Sequence, residues 1–254
     1  MLILVFCLLR TAVTIRTAME GFIVGGEYAN IRDHPHSAFL GIECITRTDG
    51  RAGWGCGSSI INQRVLLTAA HCIAECYYET HIAVRLGKSN REKGILRSSS
   101  GFLVHERYDD ATCDFDIGLV KMSRPVKFNF KISRVAIMKV PPYREKAVIA
   151  GWGLNNVHDA TSTPDLKEVE QVVWRRKECL QKFGNMPRGT ICASSKSGLE
   201  YVAQGDSGSG LIVRGYIQIG LVSYKVNNGT AYTHVSLVQL SGSTWEMNIE
   251  KTAL

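Results

Sequence analysis

Three short segments, in chain order, carry side chains suited to attack on a carbonyl. They are Thr68-Ala69-Ala70-His71-Cys72, Asp116-Ile117-Gly118-Leu119 at the head of an apolar run, and Gly205-Asp206-Ser207-Gly208. A serine hydroxyl is a poor nucleophile at neutral pH and needs a neighbouring base; histidine has a suitable pKa. A carboxylate that accepts from the other ring nitrogen holds the imidazole in the right tautomer. Glycine on both sides of Asp206-Ser207 permits a tight turn with open backbone N–H groups. Those of Gly205 and Ser207 could bind the oxyanion formed on an attacked carbonyl. Each segment alone is ordinary: a histidine before a cysteine is usually a packing residue, and an aspartate opening a strand usually just solvates its end. Together, in this order, and downstream of Ile23-Val24-Gly25-Gly26, they are not a chance set.

The elements that must position these residues read as strands. The chain has 254 residues, 45% hydrophobic and 21% charged, enough apolar material for a sizeable core, which excludes wholesale disorder. Val65 to Thr68 pairs with Ser59 to Ile61 across Asn62-Gln63-Arg64 as a hairpin. Ile82–Leu86, Ile95–Val104, Ile117–Met122, Arg134–Met138, Ala147–Ala150, Glu168–Trp174, Gly210–Val213 and Ile217–Ser223 also have strand character. Asp49-Gly50 and Asn228-Gly229 are turn signals. Many short strands at fairly regular spacing predict an all-β sandwich or a pair of barrels. Helix signals are confined to Trp174–Lys182 and a C-terminal stretch from Ser243. Ser123 to Pro142 is the candidate connection between two halves. The net charge of +7 is spread along the chain, so it argues only weakly for nucleic acid or an anionic surface. No apolar run approaches the roughly 20 residues of a membrane-spanning helix.

Leu2 to Leu9 is the length of a signal-peptide core, although no lysine or arginine precedes it. Residues 1–18 are therefore expected to be a secretion signal, and residues 19–22 a short propeptide. Of eight cysteines, Cys7 lies in that signal and seven remain, an odd number. His71, Cys72 and Cys76 lie close in sequence, but zinc sites usually add a second close ligand pair, which is missing here. Disulfides in an oxidising compartment account better for the cysteines.

On these motifs the chain resembles the chymotrypsin/trypsin-like serine peptidases, from Ile23 to about Val235. The resemblance implies two antiparallel six-stranded β-barrels, about 28–123 and 143–236, and a C-terminal helix within a single peptidase domain, 23–254. It implies His71 as general base and acid, Asp116 as its orienting carboxylate and Ser207 as nucleophile, with Gly205 and Ser207 supplying the oxyanion hole. Gly151-Trp152-Gly153 matches a family segment of the second barrel. The backbone of Ser223 matches the strand that aligns substrate. A cut before Ile23 would free an ammonium group to pair with Asp206, a buried ion pair acting as a switch. The implied pairings are Cys56–Cys72 and Cys179–Cys192. A monomer acting on peptide or protein substrates, and held by protein inhibitors, follows too; no cofactor, nucleic acid or membrane partner is expected.

The chain departs from the pattern in several places. Phe22, not arginine or lysine, precedes Ile23, so a trypsin-like activator would not cut there. Ala203, Ala147 and Val213 stand where the family has bridging cysteines. Cys76 and Cys113 lie in loops that approach each other in this fold and are expected to pair, leaving Cys44 as a buried free thiol. At the base of the specificity pocket stands Tyr201 where an aspartate would bind a cationic P1 residue; Lys225 and Thr230 occupy the walls. A small or apolar P1 is expected, and a closed pocket is the opposing reading. Asn228 opens a glycosylation sequon on the pocket rim. Lys88, Ser89 and Asn90 follow Leu86-Gly87, so no calcium site is expected. The altered pocket also keeps open a second function, an impaired peptidase homologue serving as an extracellular binding protein or cofactor.

Overall fold

The computed structural model describes Ile23 and residues 26–46, 50–138, 140–156, 161–197, 200–227 and 231–237. Tyr77, 155–156, 161–162, 225–227 and 231–237 are described by backbone alone. The expected C-terminal helix lies outside the described residues, as do the signal and propeptide.

After a two-residue strand β1 (Glu27–Tyr28), six strands build the first barrel: β2 (Ser37–Thr46), β3 (Arg51–Ile60), β4 (Val65–Thr68), β5 (Cys76–Leu86), β6 (Ile95–Val104) and β7 (Gly118–Met122). They close in the order β2-β3-β4-β7-β6-β5. The period of two along β2 shows why. Ala38, Leu40, Ile42 and Cys44 are fully buried inside, while Phe39, Gly41, Glu43 and Ile45 look outward. Leu40 and Ile42 join Leu66, Val84, Leu119 and Val120 in one apolar core. Between β4 and β5 the chain makes one short turn of helix, α1 (His71–Ala74).

Residues 123–145 cross to the second half; their described residues carry the short β8 (Ala136–Ile137), which pairs in parallel with β15. There follow β9 (Lys146–Gly151), β10 (Leu154–Asn156), β11 (Thr161–Ser162), β12 (Lys167–Trp174), α2 (Arg176–Phe183), β13 (Thr190–Ser194), β14 (Gly210–Val213), β15 (Ile217–Asn227) and β16 (Ala231–Leu237). The order is β12-β13-β16-β15-β14-β9, and β9 pairs back onto β12, so this sheet also returns on itself. Ile149, Val169, Val173, Ile191, Leu211 and Ile219 fill it. Two inward positions of β12 are polar, Lys167 and Gln171, and the Lys167 ammonium lies 3.3 Å from the centre of the Tyr28 ring. Helix α2 is stopped by Gly184 at φ 73° and capped at its start by Glu178, which accepts from Arg175 N at 2.9 Å.

The cysteines correct one expectation. Cys56–Cys72 and Cys179–Cys192 are bonded, but Cys76 bonds Cys44, and among the described residues Cys113 is the free thiol. The cause is register. Thr46 faces Cys76 across the β2–β5 pair, with a shift in the ladder after Ile45, which brings Cys44 and Cys76 to 5.5 Å between Cα atoms. Cys113 instead sits in the loop before Asp116, with its sulfur against the Asp110 carbonyl at 3.9 Å.

Candidate active site

His71 opens α1 directly after β4, and the Cys56–Cys72 bridge ties that turn to β3. The Trp54 indole adds a second tie, donating to the Cys72 carbonyl at 3.0 Å. On the neighbouring strand of the same barrel, Asp116 is wholly buried just before β7. His71 Nδ1 donates to Asp116 Oδ2 at 2.8 Å, and the His71 backbone N–H donates to Oδ1 at 2.9 Å. An ionised carboxylate only accepts, so Nδ1 carries the proton and Nε2 of the neutral ring is left able to accept one. A third donor is Ser223 Oγ, 2.5 Å from Asp116 Oδ2. Burial alone would push the Asp116 carboxyl up, but the bonds from His71 and Ser223 and the His71 charge hold it below the ordinary range. Burial likewise pushes the His71 imidazole down, and the Asp116 bond and charge, with Glu75 and Asp110, raise it above its ordinary value.

The loop that delivers Asp116 is itself braced. Asp114 accepts from Arg188 N at 2.7 Å and from Arg188 Nε at 2.6 Å, while Phe115 N donates to the Arg188 carbonyl at 3.1 Å. The Phe115 ring stacks on His105, with the Arg107 guanidinium 4.0 Å from its centre. Nothing in the sequence marks these ties, of which the Asp114–Arg188 pair joins residues 74 apart.

Ser207 sits in a turn between Gly205 at φ 95° and Gly208 at φ 85°, conformations that side chains disfavour. A Cβ at Gly208 would also overlap the Gly57 carbonyl and Thr68 Oγ1, so the turn seats directly on the first barrel. Gly57 N donates to the Ser207 carbonyl at 2.8 Å. That carbonyl lies 3.7 Å from Cys72 Sγ, which lies 3.8 Å from His71 Nε2. Ser207 and His71 thus flank one disulfide sulfur. The Gln204 carbonyl accepts from Leu154 N at 2.7 Å, and in a trans peptide the Gly205 N–H therefore points away from Leu154. Asp206 is fully buried; Oδ1 accepts from Gly153 N at 2.8 Å and Oδ2 from Ala203 N at 2.9 Å. Ile23 is buried in the second core, in the same cluster as Val202.

The remaining expected residues divide. Tyr201 is half-buried, in the segment that leads into Gly205. Ser223 lies in β15, and its hydroxyl on Asp116 adds to the backbone role read from the sequence. Lys225 is described by its backbone alone, opposite Thr233. Thr230 and Asn228 lie outside the described residues. Among the described residues, Cys56, His71 and Cys72 cluster as potential metal ligands, but the two sulfurs are bonded to each other and offer no thiolates.

Two β-barrels meeting at a histidine–aspartate pair and a serine turn define a chymotrypsin-like architecture. The comparisons agree. The family model "Trypsin" matches residues 23–240, and the chain belongs to that family of trypsin-like serine proteases. It is 33% identical to trypsin of Sarcophaga bullata, over 99% of this chain and 97% of that one. Hypodermin-A of Hypoderma lineatum is also 33% identical, over 82% of this chain and 79% of its own. In fold it is similar to a scabies mite inactivated protease paralogue, with a TM-score of 0.74 at 19% identity, covering 90% of this chain and 96% of that one. Trypsin-like proteases act on peptide or protein substrates.

Proposed function

We propose that the chain is a secreted serine endopeptidase. Its Ser207 attacks a peptide carbonyl, forms an acyl-enzyme and releases the amine, and His71-activated water then frees the acid. Each proton taken from Ser207 or water passes to His71 Nε2 and on to the leaving group. The observation that carries the reading is the buried Asp116, which fixes both the ring and the backbone of His71 beside the Ser207 turn. The N–H groups of Gly205 and Ser207 serve as the oxyanion hole. Removal of residues 1–22 frees the Ile23 ammonium, which settles on Asp206 and orders that turn; Phe22 calls for an activator that cuts after an aromatic residue. Tyr201 in place of a carboxylate favours a small or apolar P1 side chain. The scabies mite relative is described as inactivated, whereas His71, Asp116 and Ser207 are all present here.

The test is covalent labelling of protein beginning at a free Ile23 with a small fluorophosphonate, with Ser207→Ala as control. Labelling lost in the variant supports the peptidase. Folded protein with a confirmed Ile23 terminus that does not label would overturn it in favour of a binding protein.

A further inference from the structure

The segment that carries Asp116 is held in a conformation it would not keep alone. Cys113 at φ 56° and Phe115 at φ 50° both lie in the left-handed region, which side chains disfavour. Ile117 N donates to the Phe115 carbonyl at 2.7 Å, closing a three-residue turn with Asp116 at its apex. A rotation of the Phe115 backbone would therefore swing the Asp116 carboxylate away from His71. The first barrel's own ties to this segment are slack. Asp109 N donates to the Asp114 carbonyl at 3.2 Å and Asp114 N to Thr112 Oγ1 at 3.4 Å, at or beyond the long end of the hydrogen-bond range. His105 and Arg107 pack on the Phe115 ring rather than on its backbone.

The firm ties come from the second barrel. Pro187-Arg188-Gly189 lies between α2 and β13. Arg188 donates to the Asp114 carboxylate from its backbone N at 2.7 Å and from Nε at 2.6 Å, and its carbonyl accepts from Phe115 N at 3.1 Å. Gly189, at φ 74°, lets the segment approach so closely that a Cβ there would stand 3.1 Å from the Phe115 ring. The segment is itself fixed: Thr190 Oγ1 donates to the Pro187 carbonyl at 2.7 Å, and Arg176 Nη1 donates to the Thr190 carbonyl at 2.9 Å. Burial raises the Asp114 carboxyl, and the bonds and charge of Arg188 bring it below its ordinary value. The Asp114 side chain is 10% exposed and that of Arg188 76%, so the arginine side chain can be changed without opening the core.

We propose that Arg188 is a positioning residue: through Asp114 and Phe115, the second barrel sets the angle at which the first barrel's Asp116 meets His71. The kinetic consequence rests on the peptidase reading. Arg188 acts through the loop, unlike Ser223, which bonds the carboxylate directly. The charges that face His71 are Asp116, Glu75 and Asp110, and substitution of Arg188 leaves all three in the chain. Its loss has two effects of opposite sign. Removing a positive charge alone makes a nearby imidazole easier to protonate, whereas loosening the Asp116 bond makes His71 harder to protonate.

The experiment compares wild type, Arg188→Met, Asp114→Ala and the double variant, each beginning at Ile23. The substrate is a peptide ester that wild type cleaves, and rates are referred to the fraction that labels with fluorophosphonate, so incomplete folding does not enter. Arg188→Met should lower kcat about tenfold with KM held within about twofold, because a small misplacement of the catalytic geometry is costly. The acid limb of kcat/KM should move to lower pH. The double variant should match Asp114→Ala alone, because the Arg188 side chain acts through Asp114. A kcat within about twofold of wild type, an acid limb that stays or moves to higher pH, or losses that multiply in the double variant would overturn the proposal and leave the peptidase reading intact. Wild type that fails to label refutes the peptidase reading instead. The tie is then judged on Ser207→Ala by NMR titration of the His71 ring, assigned by its loss in His71→Gln. A lower midpoint with Arg188→Met supports the positioning role, and an equal or higher one overturns it.

Discussion

The bond from Ser223 to Asp116 gives a prediction that separates packing from electrostatics. Asp116 is fully buried and accepts from His71 N, His71 Nδ1 and Ser223 Oγ. Ser223→Ala removes one donor from a buried charge, at a cost of about 1.5–3 kcal/mol. In an Asp116→Asn background the same hydroxyl bonds a neutral amide, worth only about 0.5–1.5 kcal/mol. The double-mutant cycle should therefore show a coupling of about 1 kcal/mol or more. The assay is urea unfolding of the four proteins at pH 7.5, followed by tryptophan fluorescence. The native Asp116 carboxyl lies below its ordinary value, so its contribution is complete above that value and fades as pH falls through the native one. Ser223→Ala weakens the depression, and acid unfolding should begin at higher pH than in wild type. A coupling under about 0.3 kcal/mol would refute the view that Ser223 supports the carboxylate electrostatically.

Mature protein from Ile23 should hold one reactive thiol, Cys113, alkylated slowly because burial and the charges of Asp116 and Asp110 push its pKa up; a peptide map that finds the label on Cys44 would contradict the structure. Cys44→Ser opens a loop between residues 32 apart and should cost about 3–4 kcal/mol in unfolding free energy. His36 is pushed down to about 3 by burial and by the charge of His34. The unfolded chain thus binds a proton first, and below pH 6.5 stability should fall by about 1.4 kcal/mol per pH unit, a slope that His36→Gln should flatten. With His71 raised, the acid limb of kcat/KM should lie above the ordinary histidine value, and Glu75→Gln with Asp110→Asn should move it to lower pH; an unmoved limb would show that those charges do not reach the imidazole.

The sequence by itself determined the all-β class and the chemistry available. Its short strands came through because an apolar run between turn residues is a local property, as Ile95–Val104 and Gly210–Val213 illustrate with matching bounds. Strand β2 was missed although its alternation is regular, since Gly41 and Glu43 break the apolar run in SAFLGIECIT and only closure of the barrel on both edges makes it a central strand. His71, Asp116 and Ser207 were legible as types in order, and the structure joins the first two and sets them near the Ser207 turn. The tertiary structure decided which hydroxyl braces the carboxylate, which cysteine bonds Cys76 and which cation stands beside the serine turn. Ser223 and Asp116 are 107 residues apart, Cys44 and Cys76 are set by a shift in a ladder, and Arg91 reaches Trp152 from the other barrel. Such contacts depend on strand register and on how the two barrels meet, and no local pattern of residues records either.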